Sequence, residues 1–225
     1  MTETHHLPEP TLESIEQVSD GWLKKYIMNY RLPDGGLYIH EAISRKSLED
    51  FETAMHDMRT DPVRGQVPDA VCVVPYTADG RIVIEREFRY GINCWCIQMP
   101  AGLIDPGESA ETAVERELEE ETGYSLLRDE NGNAQIHLLK QPGFSSPGMT
   151  EECVQMVYAL VDNEPSLERN PEPNELIEIF TVQIDELDTF LQTNTTPLST
   201  RAQLALEAFV QEADCYSPTK SSAMR

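Results

Sequence analysis

Positive charge is scarce in this chain. Seventeen lysines and arginines stand against 40 aspartates and glutamates, a formal net charge of −23. So acidic a chain repels phosphate backbones and anionic lipid, which excludes general binding to nucleic acid or to a membrane surface. Long apolar runs are missing as well. No stretch of 18 apolar residues occurs, so no transmembrane helix is expected. Met1 to Pro10 is polar and lacks the apolar centre of a secretory signal. Cysteine is sparse, with Cys72, Cys94, Cys96, Cys153 and Cys215 in no dense pattern. An odd, scattered set argues for reduced thiols and a cytoplasmic location. Cys94-Trp95-Cys96 admits a metal pair or an alternating strand with small apolar residues, and the strand reading is preferred. There is no internal repeat. The length of 225 residues and 40% hydrophobic content suit one core with additions.

What the chain does have is glutamate, concentrated between Gly102 and Tyr124. Six glutamates lie from Glu111 to Glu121, with Arg116 the only cation among them. Two like charges ~4 Å apart at an effective dielectric of ~20 repel by about 4 kcal/mol. A helix does not need that arrangement, whereas magnesium takes oxygen ligands. Ser109 is a candidate N-cap and Gly123 a candidate C′ residue, which predicts a helix from Ala110 to Thr122. At 100° per residue, Glu117, Glu120 and Glu121 share an arc with Ala110 and Ala113. Glu111, Glu115 and Glu119 point the other way. A solvated acidic face accounts for those three but fits Glu117 poorly. Ahead of the helix, Pro100 to Glu108 holds two prolines and two glycines and reads as a rigid loop from strand to helix. Such a loop can bring a backbone carbonyl and several carboxylates to one point.

Gly102, five residues, Glu108, seven residues, then Arg116-Glu117-Leu118-x-Glu120-Glu121-x-Gly123 resembles the signature of the Nudix hydrolases. The following position is usually aliphatic, and here it is Tyr124. The box covers 23 of the 225 residues. The flanks Glu87-Phe88-Arg89-Tyr90, Met99 to Asp105 and Ser145 to Glu152 resemble the ADP-ribose pyrophosphatases. So does an N-terminal strand pair ending in Ile43-Ser44-Arg45, which in that subfamily builds a swapped homodimer. Two departures stand out. Gln98 occupies a position that is often acidic in the subfamily, and Lys46 to Val67 is an insertion.

The resemblance implies Mg-dependent hydrolysis of the pyrophosphate of a nucleoside diphosphate derivative, first of all ADP-ribose to AMP and ribose 5-phosphate. Mg2+, or Mn2+ in its place, would be held by Glu117, Glu120, Glu121 and the carbonyl of Ala101. Arg116 would orient those carboxylates. Glu108 would support the same network or simply place charge at a helix N-terminus. Arg89, Trp22, Arg45, Gly148 and Met149 would bind substrate. Arg89 on its own reads equally as a surface ion pair, and Trp22 as a core residue. Glu152 or Glu151 is the expected general base, with Glu164 and Glu168 in a later loop as alternatives. Other sugar nucleotides, dinucleotides or triphosphates are rival substrates. A catalytically silent ADP-ribose-binding module is the non-enzymatic rival, and the intact box argues against it.

The elements expected along the chain are strands at 22–29 and 36–44, then a helix at 47–59. A hairpin at 70–75 and 81–88 turns about Thr77-Ala78-Asp79-Gly80. Further strands are expected at 94–99, 136–140, 152–161 and 178–183, with helices at 184–192 and 199–213. The domain expectation is 1–66 as the strand pair and helical insertion that dimerises, 67–213 as the Nudix domain, and 214–225 as a disordered tail. The expected architecture is an α/β/α sandwich with a mixed sheet.

Overall fold

The computed structural model describes residues 7–63 and 65–216, of which 212–216 by backbone alone. The elements run β1 (Thr11–Gln17), β2 (Lys24–Arg31), β3 (Leu37–Ser44), α1 (Leu48–Thr60), β4 (Ala70–Thr77), β5 (Arg81–Arg89) and β6 (Cys94–Gln98). They continue with β7 (Ala101–Leu103), α2 (Ala110–Thr122), β8 (Ile136–Leu138), β9 (Gly143–Phe144) and β10 (Cys153–Val161). The last are β11 (Ile177–Gln183), α3 (Leu187–Thr193) after a short 3-10 turn, and α4 (Thr200–Tyr216). Contacts divide the chain into two units, Met1–Pro68 with Pro142–Val154, and Asp69–Gln141 with Gln155–Arg225.

In the first unit, β1, β2 and β3 form an antiparallel sheet in that order. The expected strand pair is therefore a triplet. Thr11–Gln17, where no strand was expected, contributes β1, whose pairing is broken by an irregularity between Leu12 and Ser14. Helix α1 is capped by Ser47, whose side chain accepts from the Asp50 N–H. Phe51 of α1 stacks on Tyr26 of β2 with ring centroids 4.4 Å apart. With Met28 and Ala42 these rings form a small core.

In the second unit the sheet order is β11-β5-β4-β10-β8, with β6 on β5 and β7 on β4. Beside β6 lies a parallel bridge, Ile97 to Leu198, so the pairing is mixed. Strand β4 is buried almost throughout, as a strand covered on both faces must be. Its odd side chains Val71 and Val73 join Ala113, Val114 and Leu118 of α2, along with Val83, Val157, Ala159 and Val161. The even side is covered from α4, where Phe209 meets Tyr76 and Tyr158. Two helices on opposite faces make the α/β/α sandwich. Helix α4 runs through Tyr216, so only residues 217–225 of the expected disordered tail lie outside the described residues.

One topological detail positions the site. Strand β5 meets β4 at Tyr76↔Ile82 but pairs with β6 from Glu85 to Arg89. Strand β4 at its other end pairs with β7 across Ala70–Cys72. The two central strands thus splay, and β6 and β7 fill the opening. Those two short strands flank Met99-Pro100, immediately before α2.

Candidate active site

The box builds outward from α2. Ser109 accepts from the Thr112 N–H, and Gly123 closes the helix in the left-handed region at φ 73°, donating to the Glu119 carbonyl. The helix therefore has the boundaries its sequence predicts. Its buried face carries Ala113, Val114, Glu117, Leu118, Glu121 and Thr122. Glu117 and Glu121 are inside, while the Glu120 side chain is 43% exposed. The three share a face, but only two are buried in it.

The loop in front is partly a strand, which the proline and glycine content concealed. Val73 donates to the Pro100 carbonyl at 2.8 Å, and Ile104 donates to the Asp69 carbonyl at 3.0 Å. In an antiparallel ladder the bonded pairs alternate, so Ala101 and Leu103 turn their N–H and C=O groups away from β4. The N–H of Ala101 meets Glu121 Oε2 at 3.0 Å. The carbonyl of Leu103 accepts from Arg116 Nη2 at 2.9 Å. The Ala101 carbonyl lies on that same side of β7. Gly102 is required here, because a Cβ built on it would stand 1.9 Å from a carboxylate oxygen of Glu117.

Arg116 ties the box together. It holds Glu108 through two bonds, at 3.0 and 2.9 Å, and reaches Glu117 Oε1 at 2.5 Å. Glu120 Oε2 is 3.6 Å from the same guanidinium. Glu108 also accepts from the Asp105 N–H at 2.9 Å, so it belongs to the network rather than only to the helix end. Hydrogen bonds from Arg116 hold the Glu108 carboxyl below its ordinary range, and those same bonds raise the guanidinium. Burial acts oppositely on Glu117 and raises it, against the partial relief from Arg116. Glu121 is raised further, by burial first and then by the charges of Glu85 and Glu117.

Glu85 is the residue that the sequence reading missed. It is fully buried in β5, and burial pushes its carboxyl up to about 7. Gln98, its partner across the β5–β6 ladder, donates to its Oε1 at 2.9 Å and also bonds Glu87. Gln98 thus joins two carboxylates from β5. The available signal was period two: Val83 faces the core, so Glu85 and Glu87 share that face. Glu175, before β11, was missed too. Its charge acts on Glu85, Glu117 and Glu121. Arg89 pairs with Glu87 at 2.7 Å with its side chain half exposed.

The remaining candidates lie in the first unit. Arg45 Nη1 bonds Glu152 Oε2 at 2.6 Å. Glu151 accepts from Ser44 Oγ at 2.5 Å and lies 3.4 Å from Lys46 Nζ. The Met149 carbonyl accepts from the Ile43 N–H at 2.9 Å, and Gly148 faces open space. Arg45, Gly148, Met149, Glu151 and Glu152 are therefore one neighbourhood around the end of β3. Trp22 is 74% exposed, which removes the core reading for it. Of the later alternatives, Glu164 pairs with Arg81 at 3.1 Å. Cys96 lies buried in β6 and Cys94 half-buried, on a strand as expected for this segment.

As posed, no three His, Cys, Asp or Glu side chains among the described residues converge on one metal-sized point. Glu117 is turned toward Arg116, and Glu121 toward Ala101. The donor set nevertheless fits a divalent cation. It is all oxygen, and its buried carboxylates are raised, first by burial and then by one another's charge, which a bound cation would offset. Glu85 Oε2 has no hydrogen-bond partner among the described residues.

Comparison with known proteins agrees with this geometry. The NUDIX domain family matches residues 67–202, more than half of the chain. An ADP-ribose pyrophosphatase of Saccharomyces cerevisiae is 37% identical over 103 residues, 46% of this chain and 43% of that protein. An ADP-ribose pyrophosphatase of Bacillus subtilis is 31% identical over 120 residues, 53% of this chain and 60% of that one. The chain thus spans about half the length of these two relatives. An ADP-sugar pyrophosphatase of Mus musculus is 30% identical over 188 residues, covering 79% of this chain and 75% of its own. Among solved structures, an ADP compounds hydrolase superposes with a TM-score of 0.69 over 93% of this chain and 96% of that one. At 22% identity that likeness speaks for the fold alone. The box, its geometry and the family match together place this chain in the Nudix family.

Proposed function

We propose that the chain hydrolyses the pyrophosphate bond of a nucleoside diphosphate derivative, with ADP-ribose, split to AMP and ribose 5-phosphate, as the first candidate. The observation that carries the reading is the Gly102–Glu117 approach. Only glycine lets the β7 backbone lie against a buried carboxylate of α2, and that closeness serves a shared ligand rather than packing. Glu117, Glu120, Glu121 and the Ala101 carbonyl would hold Mg2+ or Mn2+. When bound, the cation neutralises the pyrophosphate charge and activates water for attack. Arg116 would orient Glu117 through a charge-assisted bond and attract Glu120 across 3.6 Å. Arg89, half exposed beside Glu87, would take a phosphate or ribose. The names of the relatives support ADP-ribose and related ADP sugars over triphosphates.

The proton-accepting residue has two candidate sets. Glu175, half-buried just before β11, forms the first set. Glu152 and Glu151, engaged by Arg45, Ser44 and Lys46, form the second set. The same neighbourhood, with Arg45, Gly148, Met149 and Trp22, is assigned to substrate binding. The three-stranded sheet is assigned to a homodimer interface, supported by Leu37, Tyr38 and Ile39, exposed to between 50 and 68% on β3. A cytoplasmic setting is supported by the sparse, scattered cysteines of the sequence.

The test incubates the purified chain and Mg2+ with ADP-ribose, other sugar nucleotides, dinucleotides and triphosphates, and identifies the products. ADP-ribose should show the highest kcat/KM. A far higher value for another compound would move the substrate and leave the chemistry, while no hydrolysis of any would refute the reading. In that assay the true base should lose kcat and keep KM on substitution, which separates Glu175→Gln from Glu152→Gln.

A further inference from the structure

Strand β5 alternates, and the face that sends Val83 into the cluster with Val114 and Leu118 of α2 next carries Glu85. A carboxylate at that register stands opposite the helix face that bears Glu117 and Glu121. Its two oxygens are treated differently. Oε1 accepts from Gln98 at 2.9 Å. Oε2 is fully buried and has no hydrogen-bond partner among the described residues. A buried charged oxygen left bare is among the costlier arrangements in a fold, and a structural carboxylate is normally satisfied on both sides. The chain's own groups do not supply the missing partner. Arg89 is bonded to Glu87, Arg116 is taken by Glu108 and Glu117, and Glu121 Oε2 is turned to the Ala101 N–H. What answers a bare oxygen surrounded by other carboxylates is a cation.

We propose that Glu85 is a further carboxylate of the divalent-cation site, reaching it from β5 while Glu117 and Glu121 reach it from α2. Gln98 positions it. Its amide fixes Oε1 and anchors Glu87 alongside, which leaves Oε2 for the cation. The inference rests on the reading of the box as a cation site, and it adds a residue outside the box to that site.

The test uses the full chain freed of metal with a chelator. Manganese alone is titrated in, free Mn2+ is followed by its paramagnetic resonance signal, and melting is measured with and without Mg2+. The unaltered protein should bind Mn2+ and melt higher with Mg2+. Glu85→Gln, which keeps shape and removes charge, should bind Mn2+ at least tenfold more weakly. It should lose most of the Mg2+-dependent rise in Tm while melting no lower than the unaltered chain without metal. A merely structural carboxylate would do the reverse, lowering the metal-free Tm and leaving Mn2+ affinity unchanged, and that result overturns the proposal. Should Glu85→Gln fail to fold, Glu85→Asp retains the charge but retracts it by one methylene. Weaker Mn2+ binding then supports the proposal, and unchanged binding overturns it. An unaltered protein that takes up no Mn2+ would bring down the cation reading itself, whereas equal binding by both proteins removes Glu85 alone.

Discussion

Gly102 and Glu117 show how closely single residues constrain the site. A methyl at position 102 would stand 1.9 to 2.3 Å from the Glu117 carboxylate. The obstacle is the end of a flexible side chain, so Gly102→Ala should fold with little change in Tm. The carboxylate must move aside, however, and a shift of about 1 Å at a catalytic group costs about 100-fold in rate. Preserved melting with kcat down about 100-fold is the expected pair of results, and unchanged kcat would contradict it. Glu85 gives a second prediction, from pH. Its carboxyl is raised from 4.5 to about 7, chiefly by burial. The folded state therefore holds a proton that the unfolded chain has released. That stability is complete below about pH 4.5 and is lost as pH rises through about 7, on the order of 3 kcal/mol. In chelator, the unaltered protein should lose stability to urea over this window relative to Glu85→Gln, and parallel pH curves would refute the assignment. The box residues could be read from the sequence because their spacing is local. Glu85 was legible only as a face, through its period-two relation to Val83; its full burial, and the place of half-buried Glu175 ahead of β11, are properties that only the assembled sheet creates.

At the scale of elements, α2 was legible to the residue because both its ends are written locally, in Ser109 and Gly123. Strand β1 was not. Thr11–Gln17 offers only Leu12 and Ile15 as apolar residues, and its irregularity near Leu12 breaks the period. It is a strand because β2 is there to pair with it. Strand β7 is three residues long and was hidden for the same reason: its pairing with β4 is a property of the sheet. The C-terminal end of α2 also depends on partners far along the chain. Ser166 and Leu167 donate to the Gly123 carbonyl at 3.0 and 3.1 Å, and Asn170 to that of Glu120 at 2.9 Å. Arg169 reaches the carbonyl of Glu121. At Gly123 an added Cβ would meet the Leu167 carbonyl at 2.7 Å, on a backbone already at φ +73°. Gly123→Ala should therefore cost about 2 kcal/mol, read as a lower urea midpoint with an unchanged slope. No loss of stability would show that the 166–170 segment adapts freely.

The molecule as a whole sets a strongly acidic chain against the anionic substrate class proposed for it. A net charge of −23 repels a pyrophosphate at long range, so local cations must reverse the sign where substrate lands. The family and the sandwich were legible from the box and the apolar pattern. The assembly state was not, because it depends on which exposed faces meet. With Leu37, Tyr38 and Ile39 outward on β3, a homodimer is expected by light scattering, and a monomer at high concentration would refute that assignment. The most direct test of the central claim is the turnover of ADP-ribose with Mg2+ by the unaltered chain and by Glu117→Gln, with products identified. The account predicts AMP and ribose 5-phosphate from the unaltered chain, none without the metal, and kcat lower by at least about 100-fold in the variant with its fold intact. Near-normal turnover by folded Glu117→Gln would contradict it.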